Sequence, residues 1–211
     1  MHEELIKPAG DYTVGGSFVR QQITETLKES AELKLKVAEE QTDTIEKIVG
    51  IFVAALSNGK KVLFCGNGGS AADAQHLAAE LLGKFKFHRR ALPSVALNVN
   101  TSALTAIAND YEYDLVFERL VEALGNQGDV IVGISTSGNS KNVARALAKA
   151  REKGMKTVAF VGSKPGTIGP NADVCLCIPS DDTPRIQEAH ITVGHIICGL
   201  TEQMLFGEQK A

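Results

Sequence analysis

Residues 62–83 read VLFCGNGGSAADAQHLAAELLG: a four-residue apolar run, a glycine-rich turn, then an Ala- and Leu-rich stretch. A strand that passes through a tight glycine turn into a helix is the opening of a β-α-β unit. Four more short apolar runs follow, SVAL at 94–97, VIVGI at 130–134, TVAFV at 157–161 and VCLCI at 174–178, with helical stretches between them. They are continuous Val, Ile and Leu runs rather than apolar-polar alternation, the pattern of strands covered by helices on both faces. The expected fold is therefore α/β, a three-layer α/β/α sandwich on a five-stranded parallel sheet of flavodoxin-like type. Ligands of such sheets collect at the carboxyl ends of the strands.

Upstream of residue 62, Phe18, Ile23, Leu27, Ala31, Leu33 and Val37 recur at helical spacing, as do Ile45, Ile48, Val49, Phe52 and Val53. This predicts an N-terminal helical pair, 17 to about 40 and 42–56, ending near Asn58 and Gly59. Residues 1–16, with Pro8 and three glycines, read as a flexible arm, and 17–211 as a single domain. The last helix, about 184–206, is apolar on most of its circumference and is expected in the core or against another subunit.

The 211 residues carry a formal charge of -3 and 44% apolar content. With no basic field, neither nucleic acid nor an anionic membrane is an expected partner. No run approaches the ~20 apolar residues that span a bilayer, and MHEELIKPAG lacks the basic-then-apolar order of a signal peptide, so the expected location is the cytoplasm. Cys65, Cys175, Cys177 and Cys198 all lie in apolar segments and read as packed thiols rather than a redox or metal site.

Chemistry is concentrated in two loops. Gly66-Asn67-Gly68-Gly69-Ser70 follows the first strand and points backbone N–H groups outward at a helix start, a geometry that holds anions. It fits G-x-G-x-x-A loosely, but the second strand ends in Asn98-Val99-Asn100 without the acid that would hold a ribose, which argues against a dinucleotide. The third strand ends in Ser135-Thr136-Ser137-Gly138-Asn139-Ser140, four hydroxyls in six residues. Hydroxyls donate to phosphate oxygens without a cluster of cations and so suit the ester of a neutral sugar.

Titratable groups stand on two further helices. His76 and Glu80 are one turn apart and share a face; Gln187, His190 and His195 lie on the last helix. Glu80, among alanines and leucines, is suited to proton transfer. Gln187 and His195 are eight residues apart, about 12 Å and 80° around a helix, which favours their reaching one site from different chains.

Taken together, GNGGSAADAQH, AAELLG, IAND at 107–110, GISTSGNS and RIQEAHITVGH strongly resemble the phosphoheptose isomerases, enzymes built on the sugar isomerase (SIS) domain. The resemblance implies an aldose-ketose isomerase that converts sedoheptulose 7-phosphate to D-glycero-D-manno-heptose 7-phosphate through an enediol. That is the first step of nucleotide-activated heptose biosynthesis for lipopolysaccharide or another surface polymer. It implies that Asn67, Gly68, Gly69, Ser70, Asn109, Asp110, Ser135, Thr136, Ser137, Ser140 and Gln187 touch the phosphorylated seven-carbon sugar, and that Glu80 and His195 are the acid-base pair. It implies one Zn2+ per subunit on His76, Glu80, Gln187 and His195, in a cytoplasmic homotetramer with sites between subunits. Lys84 departs from the family, where an Arg is expected near the substrate; a point ammonium does not reproduce a bidentate fork. The alternative is a non-enzymatic SIS-domain tetramer that binds a partner protein such as the replication initiator, which would have no use for the His, Glu, Gln and His quartet.

Overall fold

A computed structural model of the chain describes residues 16–207, so the expected arm lies outside it except for Gly16. In chain order the elements are α1 (Ser17–Ser57), β1 (Val62–Gly66), α2 (Gly69–Leu82), β2 (Ser94–Ala96), α3 (Thr101–Asp110), α4 (Val116–Leu124), β3 (Val130–Ser135), α5 (Lys141–Glu152), β4 (Lys156–Val161), β5 (Val174–Cys177) and α6 (Thr183–Phe206). All five apolar runs become strands of one sheet in the order β2-β1-β3-β4-β5. Every neighbouring pair is parallel.

The apolar runs are continuous because each face of the sheet has its own core. Phe64, Val132, Ile134, Phe160 and Leu176 pack under α1, α2 and α6. Leu63, Cys65, Ile131, Ala159 and Val161 pack under α4 and α5. The three layers are those the sequence predicts.

The N-terminal pair is not a pair. A single helix of 41 residues runs from Ser17 to Ser57 without a break at 40–42. Nothing between Glu39 and Thr44 is Gly or Pro, and the Thr42 hydroxyl donates to the Ala38 carbonyl one turn back, keeping its bond inside the helix. The buried stripe Val37, Ile45, Ile48, Val49 and Phe52 runs straight through the expected gap. The helix is about 60 Å long by its rise per residue, and Phe18, Ile23 and Leu27 in its first half are exposed. Two contacts tie that half to α6: Arg185 donates to the Thr26 carbonyl, and the Ser30 hydroxyl donates to Glu188.

The four thiols are free. Burial pushes Cys65 and Cys198 up to about 12. Cys175 and Cys177 share one face of the edge strand β5 with sulfurs 3.8 Å apart, packed against the second core.

The strand order puts the reversal of winding between β1 and β3. Helix α2 leaves β1 toward one face and α5 leaves β3 toward the other, opening a crevice between the loops that follow these two strands. Among the described residues no helix is long and apolar enough to cross a membrane.

Candidate active site

The glycine loop is shaped by what a side chain would hit. A Cβ on Gly66 would stand 2.6 Å from the Ser70 carbonyl oxygen, and Gly68 turns through φ +56, which only glycine adopts without strain. Helix α2 then starts at Gly69 with no side chain capping it, and α5 starts after Ser140 likewise uncapped. Uncapped first turns leave N–H groups for an external acceptor, and the helix dipole favours an anion there.

In the serine loop Ser135 Oγ lies 2.9 Å from Ser140 Oγ and 3.4 Å from Ser137 Oγ, gathering three hydroxyls at the end of β3. The Asn139 N–H donates to Ser137 Oγ at 3.2 Å. Gly138 (φ +67) passes so close to the 164–166 segment that a Cβ would meet the Lys164 carbonyl at 2.6 Å. The hydroxyl cluster is thereby held from behind.

A pair of amides, one from each side of the crevice, joins the two loops. Asn67 Nδ2 donates to Asn142 Oδ1 at 3.0 Å and Asn142 Nδ2 donates back to Asn67 Oδ1 at 2.9 Å. Tyr113 adds its hydroxyl to Asn67 Oδ1 at 3.0 Å. Asn142, 2% exposed, and Tyr113 were not legible as site residues. An Asn in a first helical turn signals at most a cap, and the Tyr113 contact joins residues 46 apart in sequence. Asn109 and Asp110, bonded to each other at 2.9 Å, end α3 on the surface just before that tyrosine.

The titratable residues meet farther along α2. His76 Nε2 lies 3.0 Å from Glu80 Oε1 and 3.2 Å from His195 Nε2, while His195 Nε2 lies 3.8 Å from the same Glu80 oxygen. Helix α6 packs along α2 with Gly194 at the crossing, where a Cβ would come within 2.5 Å of Leu77, and this close approach delivers His195. A single chain therefore brings Glu80 and His195 together without a second subunit. One imidazole nitrogen bears either a proton or a lone pair, so His76 Nε2 cannot donate fully to Glu80 and accept from His195. Three donor atoms aimed at a common centre are what a cation satisfies: a tetrahedral zinc with ligands at ~2.0–2.1 Å sets its donors about 3.3 Å apart. The His, Glu and His donors, all within 4.8 Å of one another, fit that ion.

Gln187 lies elsewhere. Its amide covers Gly69, where a Cβ would fall 2.4 Å from Gln187 Nε2. From Gly69 to His76 is about 10 Å along α2, so one chain gathers three of the four expected ligands and leaves Gln187 at the loop. His190 is fully buried; its ring donates to the Val161 carbonyl at 3.0 Å, and burial pushes its pKa down to about 4, the carbonyl partly opposing. It belongs to the core. Lys84 is exposed, 3.5 Å from His88 Nε2. Asp73, one turn before His76, has its carboxyl pushed up to about 6 by burial, against the pull of His76.

Residues 27–162 match the SIS domain family. The chain is 53% identical over 185 residues to the phosphoheptose isomerase of Clostridium acetobutylicum, covering 87% of this chain and 94% of that enzyme. Among solved structures, the phosphoheptose isomerase of Neisseria gonorrhoeae superposes with a TM-score of 0.83 at 42% identity over 88% of this chain and 99% of that one. That of Francisella tularensis superposes at 0.84 with 34% identity, covering 87% and 98%.

Proposed function

The chain belongs to the SIS domain family and, within it, to the phosphoheptose isomerases, and on that footing we propose that His76, Glu80 and His195 form the reaction centre beside a two-loop phosphate site. The activity is aldose-ketose isomerisation between sedoheptulose 7-phosphate and D-glycero-D-manno-heptose 7-phosphate, in heptose biosynthesis. The non-enzymatic, partner-binding alternative gives way, because curated isomerases match over nearly their whole length.

The observation that carries the site assignment is the meeting of Glu80 and His195, from α2 and α6, on the helix whose N-terminus carries the glycine loop. The phosphate takes the hydroxyls of Ser135, Thr136, Ser137 and Ser140, the N–H groups of Asn67, Gly68 and Gly69, and the hydroxyl of Ser70, whose own N–H donates to the Asn67 carbonyl. Asn109, Asp110 and Gln187 serve the sugar hydroxyls. Anchoring the phosphate fixes where the carbonyl end can lie and supplies the orientation on which proton transfer depends.

Isomerisation moves one proton between carbons 1 and 2 through an enediol and another between their oxygens. Glu80, its side chain 22% exposed, takes the carbon-bound proton and returns it to the neighbouring carbon. His195, 36% exposed at the mouth of the cluster, exchanges protons with the two oxygens. His76, Glu80 and His195 would hold a zinc ion, with Gln187 supplied by another subunit, as a Lewis acid for those oxygens, and the lone pairs of Glu80 and His195 would serve proton transfer only while free of it.

A homotetramer fits the surface. Between α1 and α6 runs an apolar groove of about 430 Å³, lined by Val37, Ile45, Val193, Ile196 and Leu200, and the first half of α1 exposes Phe18, Ile23 and Leu27. We place the enzyme in the cytoplasm. The test is incubation with sedoheptulose 7-phosphate while the anomeric proton signals of the product are followed by NMR. Failure of those signals to appear with folded, metal-loaded enzyme would overturn the substrate assignment.

A further inference from the structure

The segment between α2 and β2 is held by one carboxylate. Glu202 on α6, 0% exposed, accepts the backbone N–H groups of Phe85 (3.0 Å), Lys86 (2.6 Å) and Phe87 (3.0 Å) and the Nε–H of Arg89 (2.7 Å). Arg89 in turn donates to the carbonyls of Leu81, Gly83 and Arg90, and to that of Glu80 at 3.0 Å. Three amides and a guanidinium on one buried carboxylate are charge-assisted bonds that leave the segment little freedom.

What this clamp presents is the ring of Phe85. Its centroid lies 5.6 Å from that of His195 at an interplanar angle of 33°. Gly199, one turn beyond His195, makes the room, since a Cβ there would meet Phe85 Cε1 at 3.0 Å. On its other side His195 meets the His76 ring edge-on at 4.8 Å and 73°. A proton-transferring histidine usually has its ring oriented by a hydrogen bond at the second nitrogen. Here the contacts of His195 to His76 and Glu80 both use Nε2, and among the described residues nothing bonds to Nδ1.

We propose that Phe85, presented by the Glu202–Arg89 clamp, is the positioning residue of His195: its ring sets the plane of the imidazole in place of a bond at Nδ1. The proposal rests on the reading that His195 transfers protons. Because the clamp grips backbone N–H groups, replacing the Phe85 side chain leaves it in place.

The experiment compares kcat and KM for sedoheptulose 7-phosphate in the assembled, metal-loaded enzyme and its Phe85→Leu, Phe85→Tyr, Phe87→Leu and His195→Gln variants. Phe85→Leu is expected to lower kcat by about tenfold or more with KM within about twofold, since small misplacements of a reacting group cost that much. Phe85→Tyr, which keeps the ring, is expected near wild type, as is Phe87→Leu, whose bond to Glu202 is through backbone. Wild-type kcat in Phe85→Leu beside an inactive His195→Gln overturns the positioning role and leaves the site standing. An equal loss in Phe87→Leu also overturns it, by making the effect one of the whole segment. An active His195→Gln removes the premise and the proposal together.

Discussion

His76 Nε2 and His195 Nε2, 119 residues apart in the chain, face each other at 3.2 Å with Glu80 within reach of both. Two imidazole nitrogens so placed repel unless a proton or a metal stands between them. Exhaustive chelation should therefore remove activity, and added Zn2+ should restore it. His76→Ala should bind the ion 10-fold or more weakly, read by metal analysis after dialysis. Full activity in metal-free enzyme would rule the ion out of the reaction.

Glu80→Gln keeps the shape of the side chain and removes its basicity. We expect kcat to fall by about 10² to 10⁴ while the thermal midpoint and assembly stay as in the wild type. Turnover within a few-fold of normal would end the proposed role.

Since Glu80 and His195 stand 3.8 Å apart in one chain, hybrids of inactive Glu80→Gln and inactive His195→Ala parents should gain no activity on subunit exchange. Every site then carries one damaged residue. Recovery of a substantial fraction of wild-type turnover, with exchange verified by mass spectrometry, would show the pair to be shared after all.

Ser137→Ala removes an exposed hydroxyl at the phosphate loop and should weaken substrate binding by about 1.5–3 kcal/mol, on the order of 10- to 150-fold. Asn142→Ala should act on the same constant indirectly, by leaving the part-buried Asn67 Nδ2 without its acceptor, a cost of about 1–3 kcal/mol. Titration of inorganic phosphate as a competitive inhibitor checks both. An unchanged inhibition constant in Ser137→Ala would count against the phosphate assignment.

Glu202 provides the pH test. Burial pushes its pKa up, but the N–H groups of Phe85, Lys86 and Phe87 and the Arg89 guanidinium outweigh burial and hold it below its ordinary 4.5. A depressed carboxylate contributes stability above its unfolded pKa and loses it as pH falls through the folded one. Glu202→Gln, which leaves Arg89 unpaired in the core, should cost about 3–5 kcal/mol at neutral pH. That gap between variant and wild type should narrow below about pH 4.5 in denaturant titrations. A gap constant from pH 3 to 7 would contradict the assignment.

Local chemistry alone dictated the layered fold. Runs such as VIVGI, apolar at every position and short, suit a strand covered on both sides, and the Gly66–Gly69 turn suits a backbone that bends sharply before a helix. The same holds for the serine loop, whose hydroxyls are adjacent in sequence because they serve one turn. The helical pair failed as a local reading: polar residues at 39–44 look like a gap, and only the stripe buried beneath them shows one helix.

The sequence by itself thus determined the parallel sheet and the two loops after β1 and β3, each by residue type and spacing within a few turns of chain, whereas His76, Glu80, Gln187 and His195 stood out as a set only through the family resemblance. Tertiary structure alone decided which of these meet. His195 joins His76 because α6 crosses α2 at Gly194, whereas Gln187, on the same helix, ends over Gly69. Asn142, Tyr113 and Phe85 enter the site through contacts spanning 75, 46 and over 100 residues of chain. The reason is physical: helical and strand periods are properties of neighbouring residues, but the distance between two side chains on different elements is set by how the elements pack, and no local pattern encodes it.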